Sequence, residues 1–318
     1  MNPTFLELID LASERLGAAA IDANDEFFTP KDSLVKPSAP EWREGEYTDR
    51  GKWMDGWETR RRRDVTPESH DWCVIRLGVR GRVRGVDVET THFKGNYPES
   101  CAVDLGNGVT WEEVVPRTAL RGDGHNLFAV GESGPATHLR LRIFPDGGVA
   151  RLRAYGEVVA DWGRLRLQGD VDLAAAEHGG LVVACSDMFF GSRHNLIMPG
   201  DATHMGDGWE TRRRRGPGHD WTIIKLATTG TIRRIEVDTR HFKGNAPGAC
   251  SLEGSIDGPD TTEWSELLPR TPLRAHARQS FEDLVRNMGD VTHVRFNIFP
   301  DGGVGRLRLF GTPRDAAE

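Results

Sequence analysis

The sequence predicts an all-β protein made of two tandem jelly-roll β-sandwich repeats, each opened by a short helix. Three observations predict it. The nine-residue string Asp-Gly-Trp-Glu-Thr-Arg-Arg-Arg-Arg stands at 55–63 and again at 207–215, an identity too long for chance, so the chain carries an internal duplication. Apolar residues alternate with charged ones at period two in several segments, the mark of strands with one buried face. The 37 glycines and clusters of turn residues cut those segments into short strands, as in sandwiches and barrels. A chain of 318 residues divides into about two domains, expected at 1–160 and 161–318.

Four anchors set the register between the copies. Asp25-Glu26-Phe27-Phe28 matches Asp187-Met188-Phe189-Phe190, and Asp55 matches Asp207. His92-Phe93-Lys94-Gly95-Asn96 matches 241–245, and Ile-Phe-Pro-Asp-Gly-Gly at 143–148 matches 298–303. Spacing changes only between anchors. Residues 41–52 and 65–69 are extra in the first copy and 258–262 in the second, which marks these stretches as loops.

Taken in order, Phe5, Leu8, Ile9, Leu11 and Leu16 follow helical spacing and predict a short helix, with a shorter counterpart at 171–177. Val86 and Val88 alternate with Asp87 and Glu89, and Ile235 and Val237 with Glu236 and Asp238. Leu139, Leu141 and Ile143, like Val294, Phe296 and Ile298, form a second pair of strands. Pro145-Asp146-Gly147-Gly148 reads as a hairpin turn, because Pro presets φ, Asp caps and Gly accepts positive φ. The segment 157–170 joins the copies.

Net charge is −7, whereas a protein that grips nucleic acid by its backbone carries a basic surplus. No apolar run reaches the length of a membrane span, and no signal-peptide pattern opens the chain. The four cysteines, Cys73, Cys101, Cys185 and Cys250, form no C-x-x-C pair and fit a reducing cytosol. No H-E-x-x-H or clustered Cys/His signature is present. No cofactor is expected, and a metal requirement stays open.

The charged strings are the first candidates for chemistry. On an extended segment Glu58, Arg60 and Arg62 share one face, as do Glu210, Arg212 and Arg214. Adjacent arginines repel unless carboxylates or an anionic ligand neutralise them. They are therefore either an Arg–carboxylate lattice that fixes the fold or a fork for a ligand carboxylate; both hold together if the arginines divide the roles. His70-Asp71-Trp72 and His219-Asp220-Trp221 offer proton transfer near neutral pH, or equally an Asp cap beside a surface His. In the strand-end motif, Lys94 and Asn96, with Lys243 and Asn245, supply a cation and an amide that suit a ligand with carboxylate and urea-like groups. Gly95 there suggests a special backbone angle or a close approach. Asp146 and Asp301 are turn residues and possible partners for the arginines.

At this point the residues resemble a known family. The run 51–63, then His70-Asp71-Trp72, Phe93-Lys94-Gly95-Asn96-Tyr97-Pro98 and the run 145–153 are similar to the allantoicases, over both repeats. The resemblance implies jelly-roll repeats of the galactose-binding-like type, hydrolysis of allantoate to ureidoglycolate and urea in purine and ureide catabolism, and a soluble homo-oligomer. Relatives often carry an aromatic residue at the positions of His92 and His241, which ranks Lys94, Asn96 and the arginines above them.

Losing a ureido group requires a carboxylate clamp, an acid for the departing nitrogen and a base for water. The expected clamp is Arg60 or Arg62, with His70 or Asp71 and Glu58 transferring protons and Lys94 and Asn96 positioning. The second copy offers Arg212, Arg214, Glu210, His219, Asp220, Lys243 and Asn245. One shared site or one per repeat stays open, the identical strings favouring a shared one. The alternatives are an enzyme acting on ureidoglycolate and a non-enzymatic carbohydrate-binding module.

Overall fold

The computed structural model describes residues 4–63 and 65–314. It divides into two compact units, Met1–Val159 and Ala160–Glu318, the second opening with the helix Trp162–Arg166.

Each unit is organised around one 19-residue strand, Asp71–Glu89 in the first and Asp220–Asp238 in the second. Both are rich in β-branched residues, which fit a pleated, packed surface. The first part of Asp71–Glu89 pairs antiparallel with Ala136–Phe144 and Ala19–Ala23. Its last part pairs with Arg151–Val158 and His125–Ala129. Ser100–Gly106 and Trp111–Ala119 extend the first set, and Ile9–Asp10 extends the second. One long strand thus serves both layers of a sandwich. Gly78 and Gly81 lie where it passes between them. A Cβ on Gly78 would stand 2.4 Å from the Leu16 carbonyl oxygen, and one on Gly81 2.6 Å from Leu11. Glycine is what lets the N-terminal segment close over the crossing. The second unit repeats the plan, with Leu181–Cys185 and Val291–Phe299 on the first part of its long strand and Arg306–Pro313 and Arg278–Phe281 on the last.

The core follows from the period-two pattern. Cys73, Ile75, Leu139, Leu141 and Ile143 from one layer, and Val86, Val88, Leu152 and Ala154 from the other, have no exposed surface. Full burial of each large aliphatic chain contributes roughly 1.5–3 kcal/mol relative to exposure.

Three local expectations change. The helices expected over Phe5 to Leu16 and over 171–177 are single 3-10 turns, Ala176–His178 following the strand Val171–Asp172 in the second repeat. Thr4–Glu7 and Glu14–Leu16 flank the strand Ile9–Asp10, because Ile9 and Asp10 pair with Gly156 and Tyr155. The Pro145 to Gly148 turn does not close a hairpin. Ala136–Phe144 and Arg151–Val158 each pair with a different part of the long strand, and Gly148–Val149 turns aside to pair with Trp57–Glu58. The Phe144–Pro145 peptide is cis and Gly147 has φ 142. The charged positions opposite Val86 and Val88 are buried rather than solvated, since His125 Nδ1 lies 2.7 Å from Asp87 and Thr91 Oγ1 donates to Glu89.

Candidate functional site

The repeated string is first a folding device. Trp57 is fully buried and its indole N–H donates to the Asp25 carbonyl at 2.9 Å. Asp55 receives Arg151 Nη2 at 2.6 Å, and Arg151 has no exposed surface. Burial by itself pushes the Asp55 carboxyl up, but the Arg151 hydrogen bond, the Glu41 amide and the nearby Lys36 outweigh it and hold the group down to about 2. Phe93 is buried between Gly56 and Gly148; a Cβ would stand 2.7 Å from its ring at the first and 2.0 Å at the second. Three separated motifs are therefore tied together by one ring and one ion pair. His92 carries the positive φ there, 71°, whereas a Cβ on Gly95 would meet nothing within 4 Å. The special backbone angle belongs to the histidine, one step before the ring that must turn inward.

Two adjoining cavities open above this junction, of about 800 Å³ and about 310 Å³. Phe28, Glu58, Gly95 and Asn96 line both. The larger lobe adds Arg61, Arg62 and Arg63, and the smaller adds Trp42, Lys52, His92 and Lys94. Glu58 is 9% exposed, and burial raises its carboxyl above the usual range against the opposing pull of its hydrogen bond from Asn96, Nδ2 to Oε1 at 2.8 Å. Among the described residues no cation pairs with Glu58. A buried carboxyl held this way is poised to give and take a proton.

The structure thus brings Glu58, Asn96, Lys94 and Arg62 to one place and leaves other expected residues outside it. Beyond Glu58 the chain leaves the strand, so alternation no longer sorts the arginines. The Asp25 carboxylate accepts the Arg60 amide and pairs with its guanidinium at 2.7 Å, which turns Arg60 away from the cavities. Asp146 accepts the Arg62 amide rather than a guanidinium, at 2.8 Å. Arg62 lines the larger lobe, yet its Nη2 lies 2.6 Å from buried Asp71. Asp71 also accepts from Asn24 and is a structural anchor for Arg62. His70 points to a different recess with Trp72, Trp111 and His138, its Nδ1 2.8 Å from the Glu68 carbonyl. Arg61, Arg63, Trp42 and Lys52 line the lobes without having been expected from the sequence. Arg61 and Arg63 lie in the same string, on the face the alternation argument set aside, while Trp42 and Lys52 have no counterpart in the second copy to mark them.

In the second repeat, Asn245 Nδ2 lies 2.6 Å from Glu210, Arg212 pairs with Asp187, and Arg214 pairs with Asp220 at 2.5 Å. Asp220 also accepts from Ser186, His219 Nε2 meets Asn297 at 3.2 Å, and Lys243 is exposed. Asp301 accepts the Arg214 amide at 2.7 Å, as Asp146 does for Arg62. Among the described residues no group of three or more His, Cys, Asp or Glu side chains is placed to hold a metal ion. No helix there is long and apolar enough to cross a membrane.

A family model described as the allantoicase repeat matches residues 9–159 and 171–314. A Pseudomonas paraeruginosa protein named "Probable allantoicase" is 48% identical, covering 98% of this chain and 97% of its own. A Photobacterium profundum protein of the same name is 47% identical over 96% of this chain and 97% of its own. The crystal structure of the Saccharomyces cerevisiae allantoicase superposes with a TM-score of 0.83 at 32% identity, covering 96% of this chain and 93% of that one. The two buried-tryptophan strings, each locked by a phenylalanine ring of its own repeat, Phe93 or Phe242, and these matches over both halves carry one conclusion: the chain belongs to the allantoicase family.

Proposed function

We infer that the protein hydrolyses allantoate to ureidoglycolate and urea in purine catabolism, with the first-repeat cavity as its active site. The observation that carries the site is Glu58, a buried carboxyl group that takes an amide partner and, among the described residues, no cation, on the floor shared by two lobes whose walls bear cations.

Arg61 and Arg63 bind the substrate carboxylate, since a planar guanidinium meets both oxygens. Asn96 fixes Glu58, and the lobes hold the central carbon beside it. Protonated Glu58 gives its proton to the departing ureido nitrogen as that C–N bond breaks. The lone pair of the remaining ureido nitrogen supports the carbon meanwhile, and urea leaves. The Glu58 carboxylate then takes a proton from the water whose oxygen bonds to the same carbon. This returns Glu58 to its starting form and yields ureidoglycolate. One residue serves as acid and then base, and a raised pKa suits it to begin as acid.

Cys73, Cys101 and Cys250 are buried free thiols, which supports a cytosolic setting, and the family resemblance supports a homo-oligomer. The test is urea release from allantoate by the wild type and by Glu58→Gln, whose turnover should fall by about 10²–10⁴-fold. Wild-type turnover in the variant removes Glu58 from the role. Urea from ureidoglycolate alone would favour action on that substrate, and glycan binding without turnover would favour a binding module.

A further inference from the structure

We propose that the segment 41–52, present in the first repeat only, builds the seat for the ureido arm that leaves as urea, with Trp42 and Lys52 as its specificity residues. The proposal rests on the allantoate reading of the same cavity.

The segment is a folded piece rather than slack chain. Tyr47–Thr48 and Gly51–Lys52 pair as a small hairpin. Arg43 pairs with Glu41 and Glu46 and stacks over Trp53 at 4.3 Å. The Glu41 amide donates to Asp55 at 3.0 Å, and Arg50 Nη1 donates to the Phe27 carbonyl at 2.9 Å. These ties hold Trp42 and Lys52 in the wall of the smaller lobe, with Glu58 and Asn96 at its floor.

Their chemistry suits a ureido group. Lys52 Nζ lies 3.8 Å from the centroid of the Trp42 ring and has no ion pair among the described residues. An ammonium placed against an aromatic face retains donors for a carbonyl oxygen, and the indole offers a flat surface to a planar amide. The linings sort the ends. The lobe with Arg61 and Arg63 takes the carboxylate and the retained arm, and the adjoining lobe with Trp42 and Lys52 takes the departing arm. The scissile bond then lies over Glu58, which lines both.

The second repeat lacks this seat. Residues 203–206 lead directly into its string, and the Met205 sulfur lies 3.7 Å from Asn245 Nδ2. Phe190 is 61% exposed, whereas Phe28 has Gly51 against its ring.

The experiment compares Trp42→Ala and Lys52→Met with the wild type in the full chain, reading kcat/KM for allantoate and competitive inhibition by ureidoglycolate, which lacks the departing arm. The expected result is a fall in kcat/KM of about tenfold or more with inhibition by ureidoglycolate kept within about twofold. Unchanged kcat/KM in both variants overturns the proposal. A parallel loss of ureidoglycolate inhibition overturns it too, because the retained arm would then occupy this lobe. Both positions are partly exposed, so melting temperatures near wild type separate these outcomes from unfolding. A wild type that releases no urea from allantoate sinks the functional reading itself, a result distinct from any difference between variants.

Discussion

The Asn96 amide nitrogen stands 2.8 Å from Glu58 Oε1, and no cation joins the pair among the described residues. Burial lifts the Glu58 carboxyl and the amide partly lowers it again.

Asn96→Ala therefore moves Glu58 further upward, because only the stabiliser of the charged form is lost. The reaction starts from protonated Glu58, so activity falls as pH rises through its pKa. The alkaline limb of the kcat/KM profile should shift to higher pH in the variant. A limb that stays in place or moves to lower pH would contradict the assigned role.

The Asp55–Arg151 pair contributes to acid stability. A carboxyl depressed on folding stabilises the protein above its unfolded pKa, about 3.9 for Asp. That contribution is lost as pH falls through the folded value of about 2. Melting temperature should decline over roughly pH 4 to 2, and Asp55→Asn should flatten that interval. At pH 7 the variant leaves Arg151 buried without its partner and should cost about 3–5 kcal/mol. Calorimetry across pH checks both, and an Asn variant with the wild-type slope would refute the linkage.

Gly148 and Phe93 form a lock whose cost is measurable. An added Cβ would stand 2.0 Å from a ring with no exposed surface, so Gly148→Ala should destabilise by about 1–3 kcal/mol. Adding Phe93→Leu should recover part of that loss, a coupling on the order of 1 kcal/mol. Denaturant midpoints of the singles and the double decide it, and strict additivity would mean the ring is not the obstacle.

Arg61→Lys and Arg63→Lys should raise KM about tenfold, because the bidentate fork is lost while the charge remains. Arg60→Lys weakens the exposed Asp25 pair, worth about 1 kcal/mol or less, and should leave KM within about twofold. Steady-state kinetics on the three variants sort the string, and the opposite ranking would return the clamp to Arg60.

The duplication, the strands and the sandwich were legible because identity and period two are local signals. Glu58 and Asn96 were legible because their residue types fit the chemistry in both copies. Partner choice was not. Pro145 to Gly148 has hairpin chemistry, but which strand it meets depends on Trp57 and Glu58, far away in sequence. The alternation that grouped Glu58 with Arg60 and Arg62 assumed an extended chain past Glu58. Asp25 and Asp146, each remote from the string, end it by accepting the Arg60 and Arg62 amides. Adjacency of His70 and Asp71 hid that one points to another recess and the other is buried under Arg62. Trp42 and Lys52 lie in a segment without a counterpart in the second copy, so the duplication carries no signal for them.

The ring of Phe93 between two glycines, matched by Phe242 between Gly208 and Gly303, bears on how a duplicated gene can age. Each half closes on itself through the same small set of mutually dependent residues, and no single one can drift without its companions. Selection for a foldable half is then enough to keep the Asp-Gly-Trp part of both strings spelled alike for as long as both halves exist. Novelty enters where that closure makes no demand, at the mouth, where an ancestral half can gain or shed a loop without unlearning how to fold.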